Sequence, residues 1–173
     1  MNMQLDHFIP ADFSNQSKVW VYQTNRLLSI QEALQLELLL QTFTAQWRSH
    51  GAPVKGYANL LFGRFIVLMA DETETQVGGC STDYSVHFIQ QIEQLLNIQL
   101  FNRQMLAFIV KNRVELLPVT QLEYAIQNGF INQHTLYFNN LVANKKELLE
   151  NWIIPAGKSW LGKRFFNLQP ASE

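Results

Sequence analysis

A single cysteine, Cys80, in 173 residues excludes an intrachain disulfide. Long apolar runs are also missing: stretches such as Phe65–Ala70 fall far short of the roughly 20 residues that a membrane-spanning helix needs. No charge of one sign dominates, since 13 Lys and Arg face 14 Asp and Glu, so the net charge of −1 supplies no bulk attraction to nucleic acid or to anionic membrane. The four histidines, His7, His50, His87 and His134, show neither H-x-x-x-H nor H-E-x-x-H spacing. With no second cysteine beside them, no metal site is expected. The opening residues lack the basic and apolar regions of a signal peptide, and a reducing, cytoplasmic setting is the expectation.

What is present is apolar weight, 47% hydrophobic residues, enough for a proper core. Lys18–Tyr22 reads as a strand from its β-branched and aromatic content. Ser29 and Glu32 form a capping-box pattern ahead of a helix with Leu36, Leu39, Leu40, Phe43 and Trp47 on its apolar face. Gly56–Phe62 and Phe65–Ala70 follow as a hairpin around Gly63-Arg64, a pair suited to a type II′ turn. A second helix starting near Ser81–Asp83 buries Val86, Ile89, Ile92 and Leu96, and Met105–Lys111 supplies a fourth strand.

This order predicts an α+β fold of the ferredoxin-like split βαβ type, an antiparallel sheet with two helices on one face. Residues 1–113 are expected to form that sandwich and 114–173 a mostly helical C-terminal extension packed on it. Short helices are expected at Thr120–Asn128 and Asn144–Trp152. The run Trp160–Phe166, three aromatics with two cations, is expected to tie the C-terminal part to the protein's own body.

Chemistry concentrates around Gly78-Gly79-Cys80-Ser81-Thr82-Asp83, which puts the cysteine at a helix N-terminus, where free N–H groups and the helix dipole favour a thiolate or an anion. The catalytic reading uses Cys80 as nucleophile, with Asp83 or His87 as helper, and Gly78, Gly79, Ser81 and Thr82 as an anion or oxyanion site. His87 is two helical turns on, about 10 Å along the axis, too far for a direct bond to the thiol. The preferred expectation is plainer: Cys80 is a small buried hydrophobe, with Ser81, Thr82 or Asp83 capping the helix.

Gly157-Lys158-Ser159 matches the end of a phosphate-binding loop, but Trp152 stands where its first glycine belongs. No cofactor, and in particular no ATP, is expected. The aromatics on the strands, Trp20, Tyr22, Tyr57, Phe65 and Phe108, lack the surrounding RNA-binding pattern, so they are expected in core or interface packing.

Val54-Lys55-Gly56, Phe65–Leu68, Ala70-Asp71-Glu72, Gly79–Asp83, Leu100–Arg103, Asn128–Ile131, Phe138–Leu141 and Ser159-Trp160 together resemble a family of small bacterial proteins, without an assigned activity, often catalogued as ABC transporter ATPases. That label implies ATP hydrolysis, and the chain has neither a Walker A loop nor an L-S-G-G-Q signature. Val119–Leu136 is similar to the second half of GYF-type adaptor modules, without the Gly-Tyr-Phe residues that carry ligand binding there. The functional expectation is therefore a non-catalytic binding or regulatory module acting through a protein partner or a homodimer. The alternative is a thiol-dependent enzyme or redox-responsive protein centred on Cys80.

Overall fold

In the computed structural model, which describes residues 5–166, the first strand is Lys18–Gln23 (β1), followed by the helix Ile30–Gln46 (α1). The expected capping box starts it: Ser29 Oγ accepts from the Glu32 N–H at 3.2 Å, and the Glu32 carboxylate accepts from the Ser29 N–H at 2.8 Å. A two-residue turn, His50-Gly51, joins the short strands Arg48–Ser49 (β2) and Ala52–Pro53 (β3). Lys55–Leu61 (β4) and Phe65–Asp71 (β5) form the expected hairpin, but with Leu61 paired to Phe65 the turn is Phe62-Gly63-Arg64, and Phe62 and Gly63 both adopt positive φ. Gly79–Leu96 (α2) follows and ends on Asn97 in the left-handed region.

The chain divides into two units. The first contains residues 5–102 together with 140–149. Its sheet has the order β1-β5-β4, antiparallel throughout. Ile66, Leu68 and Ala70 of β5, with Trp20, Tyr22, Ala58 and Leu60 beside them, pack against Leu36, Leu40 and Phe43 of α1, against Trp47, and against Ile89, Ile92 and Leu96 of α2. Both helices therefore cover one face of an antiparallel sheet, as the apolar periods require. Of the residues expected in these helix faces, Leu39 and Val86 are only half-buried.

The strand order corrects the expected topology in one place. Met105–Val110 (β6) is not the fourth strand of this sheet. It pairs with Arg113–Pro118 (β7) across a Lys111-Asn112 turn in which both residues have positive φ, and with Leu136–Phe138 (β8) on its other side. A strand two residues away is the cheapest partner to reach, and β7 was hidden by a turn without the usual Asn-Gly. The free edge of β1 is met instead by the returning segment: Lys18 bridges Asn144, the Val19 N–H donates to the Ala143 carbonyl, and the Lys145 N–H donates to the Ser17 carbonyl.

The second unit comprises residues 103–139 and 150–166. It holds a four-stranded antiparallel sheet, β7-β6-β8-β9, where β9 is Ile153–Pro155, with the short helices Leu122–Gln127 (α3) and Trp160–Phe165 (α5). The remaining helix, Lys145–Asn151 (α4), begins in the returning segment. Leu106, Phe108, Leu122, Ala125, Ile131, Tyr137, Ala156 and Leu161 form one buried cluster. The two expected short helices are present as α3 and α4, and the C-terminal part also supplies three strands that, with β6, form a sheet over a buried cluster. Its aromatics tie the last helix down, since Trp160 Nε1 donates to the Tyr137 hydroxyl at 3.1 Å and Arg164 lies over the rings of Trp160 and Phe165.

Candidate functional site

The start of α2 sits two residues earlier than its polar residues suggest. Its N-cap is Gly78, with no side-chain cap, so none of Ser81, Thr82 and Asp83 serves as the cap. Each hydroxyl has another partner. Ser81 is buried, and its Oγ accepts from Trp47 Nε1 at 2.8 Å, joining the end of α1 to the first turn of α2. The Thr82 hydroxyl donates to the Gly78 carbonyl at 3.2 Å.

Cys80, by contrast, is exposed, which corrects its expected role as a packing residue. As the second residue of α2 it has little to pack against, and a Cβ on the adjacent Gly79 would meet nothing within 4 Å. Asp83 and His87 are exposed as well, and His87 Nδ1 lies 2.8 Å from the Asp83 carbonyl oxygen within its own helix turn. With two turns between Cys80 and His87, the helix keeps the proposed nucleophile and base apart.

One residue that sequence spacing did not suggest does approach this end of α2. The β2-β3 turn brings His50 so close that a Cβ on Gly78 would lie 2.8 Å from its Nε2. The same turn holds the loop through Ser49, whose hydroxyl donates to the Gln76 carbonyl at 2.6 Å and accepts from the Gly78 N–H at 3.3 Å. His50 precedes Gly78 by 28 positions, and only the turn geometry could have linked them.

Asp71 and Glu72, the carboxylates nearest in sequence, have structural partners. Asp71 accepts from the N–H groups of Ser14 and Thr73 and faces Lys55 at 3.4 Å. Burial pushes its carboxyl up, but these donors outweigh that and hold it at about 2. Glu72 Oε1 closes the following loop by accepting from the Val77 N–H at 2.7 Å, and it also accepts from Lys18. Among the described residues no group of three His, Cys, Asp or Glu is placed to hold a metal ion.

Gly157-Lys158-Ser159 is a closed turn leading into α5, with Ser159 Oγ accepting from the Leu161 N–H. Gly162 comes so near Gly157 that any Cβ on it would collide with the Gly157 carbonyl. The backbone is packed on itself there, where a phosphate cradle would be open.

The other candidate is a surface. Ile30, Leu34 and Leu38 are 81%, 59% and 66% exposed and recur every fourth residue along α1. At about 100° per residue they run down the side of the helix opposite Leu36, Leu40 and Phe43. On α2, Tyr84 and Leu95 are exposed, and half-buried Phe88 stacks on Phe43 with ring centroids 4.3 Å apart. Between the helices runs a groove of ≈ 430 Å³ lined by Leu39, Phe88, Gln91, Ile92, Gln94 and Leu95. Core packing explains one apolar face of a helix, and α1 has two. The periodicity of Leu36, Leu40 and Phe43 drew attention to the first face. Ile30, Leu34 and Leu38 were the signal for the second.

The chain matches no family model, no curated protein and no solved structure. No helix among the described residues is long and apolar enough to cross a membrane.

Proposed function

We propose that this protein is a non-catalytic binding module whose working surface is the outer side of α1 and α2. The observation that carries the reading is the exposed row Ile30, Leu34 and Leu38, because contiguous apolar surface kept in water marks a site that another chain covers. The frame beneath it is read as a ferredoxin-like sandwich in which the returning segment 143–145 stands in the place of the fourth strand. The resemblance to the small bacterial family is kept as lineage, with a cytoplasmic setting and without the ATPase label.

A photoreactive residue in place of Leu34 tests this in the cell. The expected result is a discrete cross-linked species that disappears when Leu38→Asp is added. Uniform labelling by solvent, with no discrete species, would overturn the reading.

The thiol reading has one observation in its favour, the exposure of Cys80 beside an N-terminus that no side chain caps. It predicts that Cys80→Ser abolishes function while leaving the cross-link from position 34 intact.

A further inference from the structure

We infer that the occupant of this surface is an amphipathic helix of another protein, carrying lysine or arginine along its edges. The inference rests on the reading above and adds the chemistry of the partner. Its first support is shape. The exposed row Ile30, Leu34 and Leu38 runs about 12 Å along α1 beside the groove, a length over which a docked helix sets anchors at i, i+4 and i+7.

The second support is charge. Neither α1 nor α2 contains a single lysine or arginine, although the chain has 13 of them, and the two helices carry Glu32, Glu37, Asp83 and Glu93. Two of these are occupied at home: Glu32 is paired with Arg26 at 2.7 Å, and Glu93 accepts from the Leu100 N–H at 2.6 Å. Glu37 and Asp83 are exposed, one on the flank of α1 away from the groove and the other on the corresponding flank of α2. Between them the polar residues include Gln31, Gln35, Thr42, Gln91, Gln94 and His87, none of them a carboxylate. The face is thus apolar along its middle and acidic at both margins.

A second copy of this chain would offer this face the same acidic margins and no lysine or arginine from either helix. Cationic margins on a different helix complement those carboxylates and add steering.

The test uses the full chain and two synthetic peptides of about 18 residues with the same leucine face, one with lysine at its flanking positions and one with glutamate there. Fluorescence anisotropy should show the lysine peptide binding at least about tenfold tighter than its twin. Leu38→Gln with Leu95→Gln should weaken it about tenfold or more, with the melting temperature unchanged. Glu37→Gln with Asp83→Asn should erase most of the preference for lysine while keeping the leucine-dependent part.

Equal binding of both peptides, or binding of neither, overturns the inference. Sedimentation of the chain alone separates this from the broader reading. A dimer that Leu38→Gln dissolves would leave the surface as a binding site and replace the basic helix with a second copy.

Discussion

The two faces of the β1-β5-β4 sheet are held by different chemistry. On the helix side the sheet meets Leu, Ile, Phe and Trp from two regular elements, and the one buried polar contact of note is Trp47 to Ser81. On the other side the buried Val19, Leu61, Phe65, Val67 and Met69 share the face with Lys55, Tyr57 and Asp71, and part of what covers them is chain with little regular structure. That cover buries Leu5, Ile9 and Phe13 and is held by polar staples as well. Lys145 is buried, and its ammonium donates to the carbonyls of Pro10 at 2.8 Å, Ala11 at 3.3 Å and Phe13 at 2.7 Å. Asp71 anchors Ser14, the Tyr57 hydroxyl donates to the Phe8 carbonyl, and Lys55 lies over the Phe13 ring at 4.7 Å. A helix satisfies its own backbone, so apolar contact is enough to seat it. An irregular segment leaves carbonyls without partners, and burying it requires donors from elsewhere.

The largest effect should come from the apolar side. Trp47 is fully buried, and Trp47→Ala should cost about 3–5 kcal/mol by urea denaturation through the cavity it leaves. Trp47→Phe should cost about 1–2 kcal/mol, most of it from the Ser81 hydroxyl losing its donor. If the two cost the same, packing is not what seats α1 and the contrast between the faces fails.

On the stapled side, Lys145→Met should cost about 2–4 kcal/mol, because three carbonyls lose one shared donor while the stem is kept. Hydrogen exchange should rise in residues 8–14 and stay unchanged in α1 and α2. Loosening of the helices as well would show that the two faces are coupled.

Asp71→Asn should cost about 2 kcal/mol, and its pH signature sharpens the point. The carboxyl is held near 2 in the fold against an ordinary value of 3.8, so its contribution is complete above about pH 4, is lost as pH falls towards 2, and is gone below both values. The variant should therefore show a flatter loss of stability across that window. Glu32, held at about 2 chiefly by its hydrogen bonds from Arg26 and also by those from Ser29, should account for a separate part of the acid loss on the helix side. An unchanged acid profile in Asp71→Asn would remove Asp71 from the stapling network.

The same contrast explains what could be read from the sequence. The capping box at Ser29 and Glu32, the β4-β5 hairpin and the buried rows of α1 and α2 were all legible, because each is a local period or a pair within a few residues. The staples were not. Lys145 reaches back more than 130 positions to Pro10 and Phe13, and nothing in a lone lysine announces three carbonyl partners. The place of β6 is hidden in the sequence for a related reason: Val114, Leu116 and Pro118 flanked by Lys111-Asn112 make a weak strand signal, so nothing local marks β7 as the partner of β6. At the candidate site, the glycines and Cys80 identified the helix start, but the side-chain directions that decide availability came from Trp47 and His50, both distant in the chain.

The smallest effect concerns Cys80. It is exposed, makes no core contact and tops a helix whose first turn is already tied down through Ser81, so Cys80→Ser should change stability by less than about 0.5 kcal/mol. The thiol should react with an alkylating reagent in the native protein without any need for unfolding, and the rate in urea should be no more than severalfold different. Protection by about a hundredfold in the native state would mean that a side chain closes over the helix start, and the exposed position would be wrong. The useful comparison is between this thiol and Leu38. Alkylated protein should still give the cross-link from position 34, whereas Leu38→Asp should not, because the proposed binding surface lies along the outer side of α1 and α2 and not at the N-terminus of α2. If alkylation alone removes the cross-link while Leu38→Asp leaves it, the working end of the protein is Cys80, and the apolar row on α1 is incidental.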